Sequence, residues 1–111
     1  MNSCIKGANG ERELAAILQK TSGYRITRGG TMSYGTLPDL SGLPNIHIEV
    51  KRVEKLNLDK AMNQAVRDSI KFHDGLPTIF HRRNNEEWLV TMRLPDWLKV
   101  YGARESSDRP P

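Results

Sequence analysis

Two stretches of the chain have apolar residues at the three- and four-residue spacing of an amphipathic helix. The first extends from Glu11 to about Lys20, and Gly23 follows it as a typical stop signal. The second begins after Asn57, whose side chain suits a helix N-cap, and reaches Phe72. Each pattern predicts a helix with one face against a core. The apolar positions are Leu14, Ala15, Ile17 and Leu18 in the first stretch, and Leu58, Ala61, Met62 and Ala65 in the second.

Shorter segments rich in strand-forming residues predict five strands. The clearest is residues 46–52, in which apolar and charged side chains alternate. The others are residues 24–28, 39–41, 78–80 and 88–90, with Asn84-Asn85 as a typical hairpin turn before the last of them. The order of helix, three strands, helix and two strands predicts an α/β fold, with a mixed five-stranded sheet flanked by helices.

The segments between and after these elements predict loops and a tail. Residues 31–36 are a small-residue loop, and residues 95–100 are expected to form a short helical turn. From Tyr101 the chain is polar and ends in two prolines. We therefore expect a single domain over residues 1–100 and a flexible C-terminal tail over residues 101–111.

The strand at residues 46–52 has one charged face. His47, Glu49 and Lys51 share it, because successive side chains of a strand point to opposite sides. The middle strand of so small a sheet is covered on both faces, and a covered charge is costly unless it is paired or bound to a metal. The alternative is an ion pair on a solvated strand. We interpret His47, at the start of the strand, as structural or exposed.

Pro38-Asp39 precedes Glu49 by ten positions and completes a set of two carboxylates and one ammonium. Two neighbouring carboxylates repel each other, and a hard divalent cation with oxygen ligands relieves that repulsion. Such a cation can hold a phosphate oxygen and activate water, while Lys51 can offset developing negative charge. Alone, Asp39 would be interpreted as a turn residue. Together, Asp39, Glu49 and Lys51 predict a site that cleaves phosphodiester bonds.

Two helical residues are candidates to complete this site. Glu11 projects from the apolar stripe of the first helix, so it could reach over the sheet towards Asp39 and Glu49. The alternative for Glu11 is an acid that complements the dipole at a helix N-terminus. Gln64 lies on the flank of the second helix, where it is either a surface residue or a group that positions water or a phosphate.

Composition and charge agree with a nucleic-acid partner without proving it. The chain has 111 residues, 37% hydrophobic and 27% charged, with a net charge of +4. It has one cysteine, no zinc-type histidine spacing, no signal-peptide stretch and no apolar run near the roughly 20 residues that cross a bilayer. We expect a cytoplasmic protein that does not bind a membrane. Candidate phosphate contacts are Arg25, Arg28, Arg52, Lys55, Arg82 and Arg83.

Three motifs together resemble the PD-(D/E)XK nuclease superfamily, and most closely the archaeal-type Holliday junction resolvases and their small phage-encoded relatives. They are residues 6–14 (Lys-Gly-Ala-Asn-Gly-Glu-Arg-Glu-Leu), Pro38-Asp39-Leu40 and Ile48-Glu49-Val50-Lys51, in the family's order and spacing. The similarity covers about residues 5–93. It implies a restriction-endonuclease-like core.

The resemblance also implies roles for individual residues. Asp39 and Glu49 would bind Mg²⁺, for which Mn²⁺ substitutes, with Glu11 assisting and the Val50 carbonyl as a further ligand. Lys51 would orient the attacking water. Arg12 would contact DNA or a partner subunit, and Lys6 would contact DNA. Gln64 resembles the helix glutamine of several phage nucleases of this superfamily, which implies a catalytic role.

The expected protein is therefore a Mg²⁺-dependent endodeoxyribonuclease that cuts branched DNA such as Holliday junctions, acting as a homodimer. One alternative is a nickase or flap-type nuclease of the same fold. Another is a DNA-binding module that has the fold and performs no chemistry.

Overall fold

The computed structural model describes residues 3–29 and 37–108, with side-chain environments for residues 7–29 and 37–103. The loop predicted at residues 31–36 lies outside the described residues. The described residues form, in chain order, α1 (Ser3–Ser22), β1 (Thr27–Arg28), β2 (Leu40–Ser41), β3 (Ile46–Arg52), α2 (Leu58–Phe72), β4 (Leu76–Arg82), β5 (Leu89–Met92) and α3 (Leu94–Asp108).

The five strands form one mixed sheet in the order β1-β2-β3-β4-β5. Neighbouring strands are antiparallel except β3 and β4, which are parallel from Ile46↔Leu76 to Arg52↔Arg82. Parallel neighbours need a long crossover, and α2 supplies it. The predicted α/β fold with a mixed five-stranded sheet is confirmed, and β3 is its middle strand.

The core has two parts, one on each side of the sheet. On the α1 side, Leu14 clusters with Ile48 and Val50 of β3. On the α2 side, Ala61 clusters with Ile79 of β4. Since alternate residues of β3 belong to the first cluster, the intervening charged residues of β3 face α2. Both faces of the middle strand are thus covered, as the sequence predicted.

Helix α1 begins at Ser3, eight residues earlier than predicted. Gly10, the residue before the predicted start, lies within the helix, where a Cβ would be only 2.7 Å from the Cβ of Arg52. Glycine therefore permits α1 to approach β3 closely. Because Glu11 lies two turns inside the helix, the helix-dipole interpretation of Glu11 is wrong: that effect is confined to the first turn.

Helix α2 begins and ends as predicted. Asn57 Oδ1 accepts a hydrogen bond of 3.1 Å from the Lys60 backbone N–H, which caps the helix. The last turn is followed by His73 in the left-handed conformation, with φ of 51°. This capping fixes the length of α2 and therefore which of its side chains lie over β3.

Four strands have other bounds than predicted, and β2 differs by one residue, since it begins at Leu40 and not at Asp39. Strand β1 contains only Thr27–Arg28, so Arg25 precedes it. Strand β4 begins at Leu76 and includes Pro77. A proline is tolerated there because pairing with β5 starts only at Thr78, so the missing N–H of Pro77 costs no hydrogen bond to β5. The turn predicted at Asn84-Asn85 is present, and β5 follows at Leu89–Met92.

A short helical turn was predicted at residues 95–100, whereas the structure has a longer helix, α3, which extends to Asp108. Within residues 101–108 Gly102 is the only strong helix breaker, and it costs about 1 kcal/mol in a helix. The predicted flexibility of residues 101–111 remains a prediction. Over the described parts of the chain, none of the helices combines the length and the apolar character needed to span a bilayer.

Candidate metal centre

Asp39 and Glu49 lie side by side where β2 meets β3. Asp39 directly precedes β2, whose Leu40 pairs with Ile48 of β3. Asp39 Oδ2 accepts a hydrogen bond of 3.0 Å from the Val50 backbone N–H. Glu49 is close enough to act on Asp39 both by its charge and by a side-chain hydrogen bond. The structure therefore brings together the two carboxylates that the sequence singled out.

The backbone at Val50 offers a third oxygen to this pair. The N–H and C=O of one strand residue point to the same edge of the strand. Since the Val50 N–H points to Asp39, the Val50 carbonyl faces the same side. Two carboxylates and a carbonyl form an all-oxygen donor set.

The electrostatics of Asp39 indicate that this pair requires a positive group. Burial, followed by the charge of Glu49, raises the pKa of Asp39 to about 7. At neutral pH the pair therefore retains a proton or binds a cation in its place. Oxygen ligands of this kind suit Mg²⁺ or Mn²⁺. Asp39, Glu49 and Val50 fit such an ion.

Lys51 follows the pair on β3 and is held in place from two sides. Its Nζ donates a hydrogen bond of 3.0 Å to Gln64 Oε1 of α2 and lies 3.9 Å from Glu49 Oε2. Gln64, for which the sequence left two interpretations open, thus contacts the lysine of the site. The contact fixes the position of the ammonium beside the carboxylates.

Glu11 lies at the border of the same centre. It is half-buried and forms an ion pair of 3.6 Å with Arg28 of β1. Burial raises the pKa of Glu11, and its charge acts on both Asp39 and Glu49. Helix α1 therefore delivers a third carboxylate, which Arg28 partly compensates.

The predicted DNA-contacting residues divide into two groups. Arg12, Arg25, Lys55 and Arg83 are exposed. Arg28, Arg52 and Arg82 are partly buried and contact Glu11, Asn84 and Glu13, respectively. Arg52 and Arg82, at the ends of β3 and β4, are neighbours because these two strands are parallel. Lys6 lies outside the residues whose side-chain environments the structure describes.

Sequence reasoning missed the surroundings of His47. Its ring is 1% exposed, its Nδ1 lies 2.9 Å from both carboxylate oxygens of Asp74, and its Nε2 lies 3.4 Å from Glu49 Oε1. Asp68, one turn beyond Gln64 on α2, also faces Glu49. The i, i+4 spacing of Gln64 and Asp68 was the one available signal, since it places both on one face of the helix.

Neither the protein-family models nor the curated proteins give a match to this sequence. Among solved structures, the chain is similar to Hjc, a Holliday junction resolvase from the archaeal hyperthermophile Archaeoglobus fulgidus. The TM-score is 0.58 and the sequence identity 23%, over 78% of this chain and 72% of that chain. This similarity establishes the fold: the restriction-endonuclease-like architecture predicted from the sequence is confirmed.

The raised pKa of Asp39 predicts a pH-dependent stability that Asp39→Asn removes. Between the ordinary value of 3.8 and about 7, only the unfolded chain loses this proton, so the free energy of unfolding falls as pH rises through that window. Above it, both states are ionised and the contribution is constant. Without divalent cations, we expect the variant to be more stable than wild type by about 2 kcal/mol at pH 8, and equal to it near pH 4.

Urea unfolding in EDTA at pH 4, 6 and 8 measures this difference. The asparagine side chain of the variant can still accept the hydrogen bond from the Val50 N–H, so the comparison isolates the charge. A stability difference of the same size at all three pH values would contradict the raised pKa.

Proposed function

We propose that the protein is a metal-dependent endodeoxyribonuclease that cleaves branched DNA, and specifically a Holliday junction resolvase. The observation that carries this proposal is the convergence of Asp39, Glu49 and Lys51, with a pKa of about 7 for Asp39. The likeness of the fold to an archaeal junction resolvase supports it. We therefore propose for this chain the activity that the resemblance of its three sequence motifs implies.

In the proposed reaction, Asp39, Glu49 and the Val50 carbonyl would hold Mg²⁺ or Mn²⁺, which supplies positive charge against the phosphate and a more acidic water. Lys51 places its ammonium beside this centre and stabilises negative charge that develops on the phosphate oxygens. Gln64 positions that ammonium through its 3.0 Å contact. Glu11 adds negative charge at the border of the site and strengthens cation binding.

The basic residues suggest where the DNA backbone lies. Lys51, Lys55 and Lys60 line a pocket of 250 Å³ next to Gln64. We propose that this pocket follows the phosphates, and that Arg52, Arg82 and Arg83, near the ends of β3 and β4, contact further phosphates. Arg12 would contact DNA or a partner subunit, and Arg25, Arg28 and Lys6 are proposed as DNA contacts.

We further propose a homodimer that acts on recombination or repair intermediates in the cytoplasm of a bacterial, archaeal or phage-infected cell. A four-way junction is two-fold symmetric, so paired cuts need two centres related by a two-fold axis. A C2 dimer supplies these centres.

The test uses labelled DNA of one sequence, assembled as a four-way junction, a flapped duplex and a linear duplex. With Mg²⁺ we expect cleavage of the junction at least about tenfold faster than of the others, and none in EDTA. Equal rates on all three would overturn the resolvase assignment and leave a less selective nuclease. Tight junction binding without cleavage, in Mg²⁺ and in Mn²⁺, would instead identify a DNA-binding module.

A further inference from the structure

Behind the carboxylate pair, on the α2 side of the sheet, a second group of ligand-type side chains converges. His47 and Glu49 of β3 and Asp68 of α2 each offer one ligand atom, and these atoms all lie within 4.8 Å of one another. His47 is 1% exposed and Glu49 3% exposed, while Asp68 is half-buried. This group is therefore enclosed between the sheet and α2 and is not a surface cluster.

The histidine in this group is already oriented as a metal ligand. Its Nδ1 lies 2.9 Å from both carboxylate oxygens of Asp74. A carboxylate only accepts hydrogen bonds, so Nδ1 carries a proton and donates. Metal-binding histidines usually donate their second ring nitrogen to a carboxylate in this way. This leaves Nε2 free to act as the ligand atom, 3.4 Å from Glu49 Oε1.

The spacing of the ligand atoms also favours a metal over a direct hydrogen bond. His47 Nε2 lies 3.4 Å from Glu49 Oε1, which is long compared with the usual 2.9–3.0 Å of an N–H···O bond. Two ligands about 2.1 Å from one ion at a tetrahedral angle are about 3.4 Å apart. A small ion therefore fits between these two atoms without moving either side chain.

The charges point in the same direction. Three carboxylates, those of Glu49, Asp68 and Asp74, surround one imidazole in a largely enclosed space. Lys51 lies 3.9 Å from Glu49 Oε2, on the side of the carboxylate away from its contact with His47. A divalent ion among His47, Glu49 and Asp68 would compensate the acids that Lys51 does not reach.

We propose that His47 Nε2, Glu49 and Asp68 form a binding site for a transition-metal ion such as Zn²⁺, with Asp74 orienting His47. The imidazole ligand distinguishes this site from the all-oxygen set at Asp39, since nitrogen ligands favour transition metals over Mg²⁺. Glu49 is common to both sites through its two carboxylate oxygens. The transition metal would stabilise the packing of α2 on β3 and fix the orientation of Glu49.

Zinc binding to the full chain without DNA tests this proposal, and it does so independently of nuclease activity. Isothermal titration calorimetry is performed in a Cys4→Ser, His73→Asn background, which removes a free thiol and an exposed imidazole. Asparagine tolerates the left-handed backbone at position 73. We expect one Zn²⁺ per chain, bound at least about tenfold more weakly in Asp68→Asn and in His47→Asn, and about 10–100-fold more weakly in Asp74→Asn.

Two controls separate this site from its neighbours. Asp59→Asn, at an exposed position of α2, is expected to leave zinc affinity unchanged, and Asp39→Asn, which removes a ligand of the all-oxygen set, is expected to change it much less than Asp68→Asn does. Thermal unfolding shows whether each variant is folded, which matters because His47 is buried. At one zinc concentration, Zn²⁺ should raise the melting temperature of wild type by more than that of Asp68→Asn.

Two results would overturn the proposal. One is zinc affinity that depends on Asp39 as strongly as on Asp68, because zinc would then occupy the all-oxygen set. The other is the absence of zinc binding by the folded background protein, because a proton on His47 would then be what balances the three acids.

Discussion

Asp39→Asn is expected to lower the rate of DNA cleavage at saturating Mg²⁺ by at least about a thousandfold, which corresponds to about 4 kcal/mol of transition-state stabilisation. The substitution removes one of the two carboxylates of the cation site and retains the acceptor for the Val50 N–H. It also removes a negative charge near the phosphates. Junction affinity should therefore be equal to or higher than that of wild type when divalent cations are scarce.

Single-turnover cleavage and a gel-shift titration, performed on the same labelled junction, measure the two quantities separately. Asp59→Asn is the matched control, since Asp59 is an exposed acid at the start of α2, outside the carboxylate pair. Its rate and affinity should equal those of wild type. Wild-type turnover by Asp39→Asn would remove Asp39 from the metal site, and with it the proposed mechanism.

The sequence predicted this centre because its parts obey local rules. The alternation in β3 places Glu49 and Lys51 on one face whatever the rest of the fold does. The apolar spacing and the Asn57 cap likewise define α2 locally, with Gln64 on the flank that meets Lys51. Such features depend only on residues that are close together along the chain, so they can be predicted from a single sequence.

Other features depend on contacts between distant residues, and the sequence did not predict them. The predicted first helix began just after Gly10, whereas Gly10 lies inside α1 and allows the close approach of Arg52. Asp74 reaches His47, 27 positions away, because the parallel pairing of β3 and β4 places the residues before β4 beside the start of β3. Gly75, with φ of 125° and no room for a Cβ beside Asn45, makes that approach possible.

These distant contacts also explain why Glu49 is held so firmly. One of its oxygens faces His47 and the other faces Lys51, and each of these partners is fixed in turn by Asp74 or Gln64. The carboxylate of Glu49 therefore has little freedom to rotate. A cation site built on such a residue is preorganised, which lowers the cost of binding.

Lys51→Met is expected to slow cleavage by about 10²–10³-fold while cation binding is retained. Methionine preserves most of the volume of the side chain and removes the ammonium. Because that ammonium lies 3.9 Å from Glu49 Oε2, its loss also removes a positive charge that competes with the metal ion. The Mn²⁺ affinity of the variant should thus equal or exceed that of wild type, in contrast to Asp39→Asn, which should bind Mn²⁺ more weakly.

Lys55→Met is the matched control for this variant. Lys55 is exposed and lines the same pocket as Lys51, so its loss should weaken junction binding only a few fold and lower the salt dependence of the affinity. Single-turnover rates at saturating protein distinguish the two lysines, since only Lys51→Met should be slow under those conditions. Equal rates for both variants would show that Lys51 acts as a phosphate contact and not at the reacting centre. A loss of Mn²⁺ binding in Lys51→Met would show instead that the lysine maintains the geometry of the carboxylates.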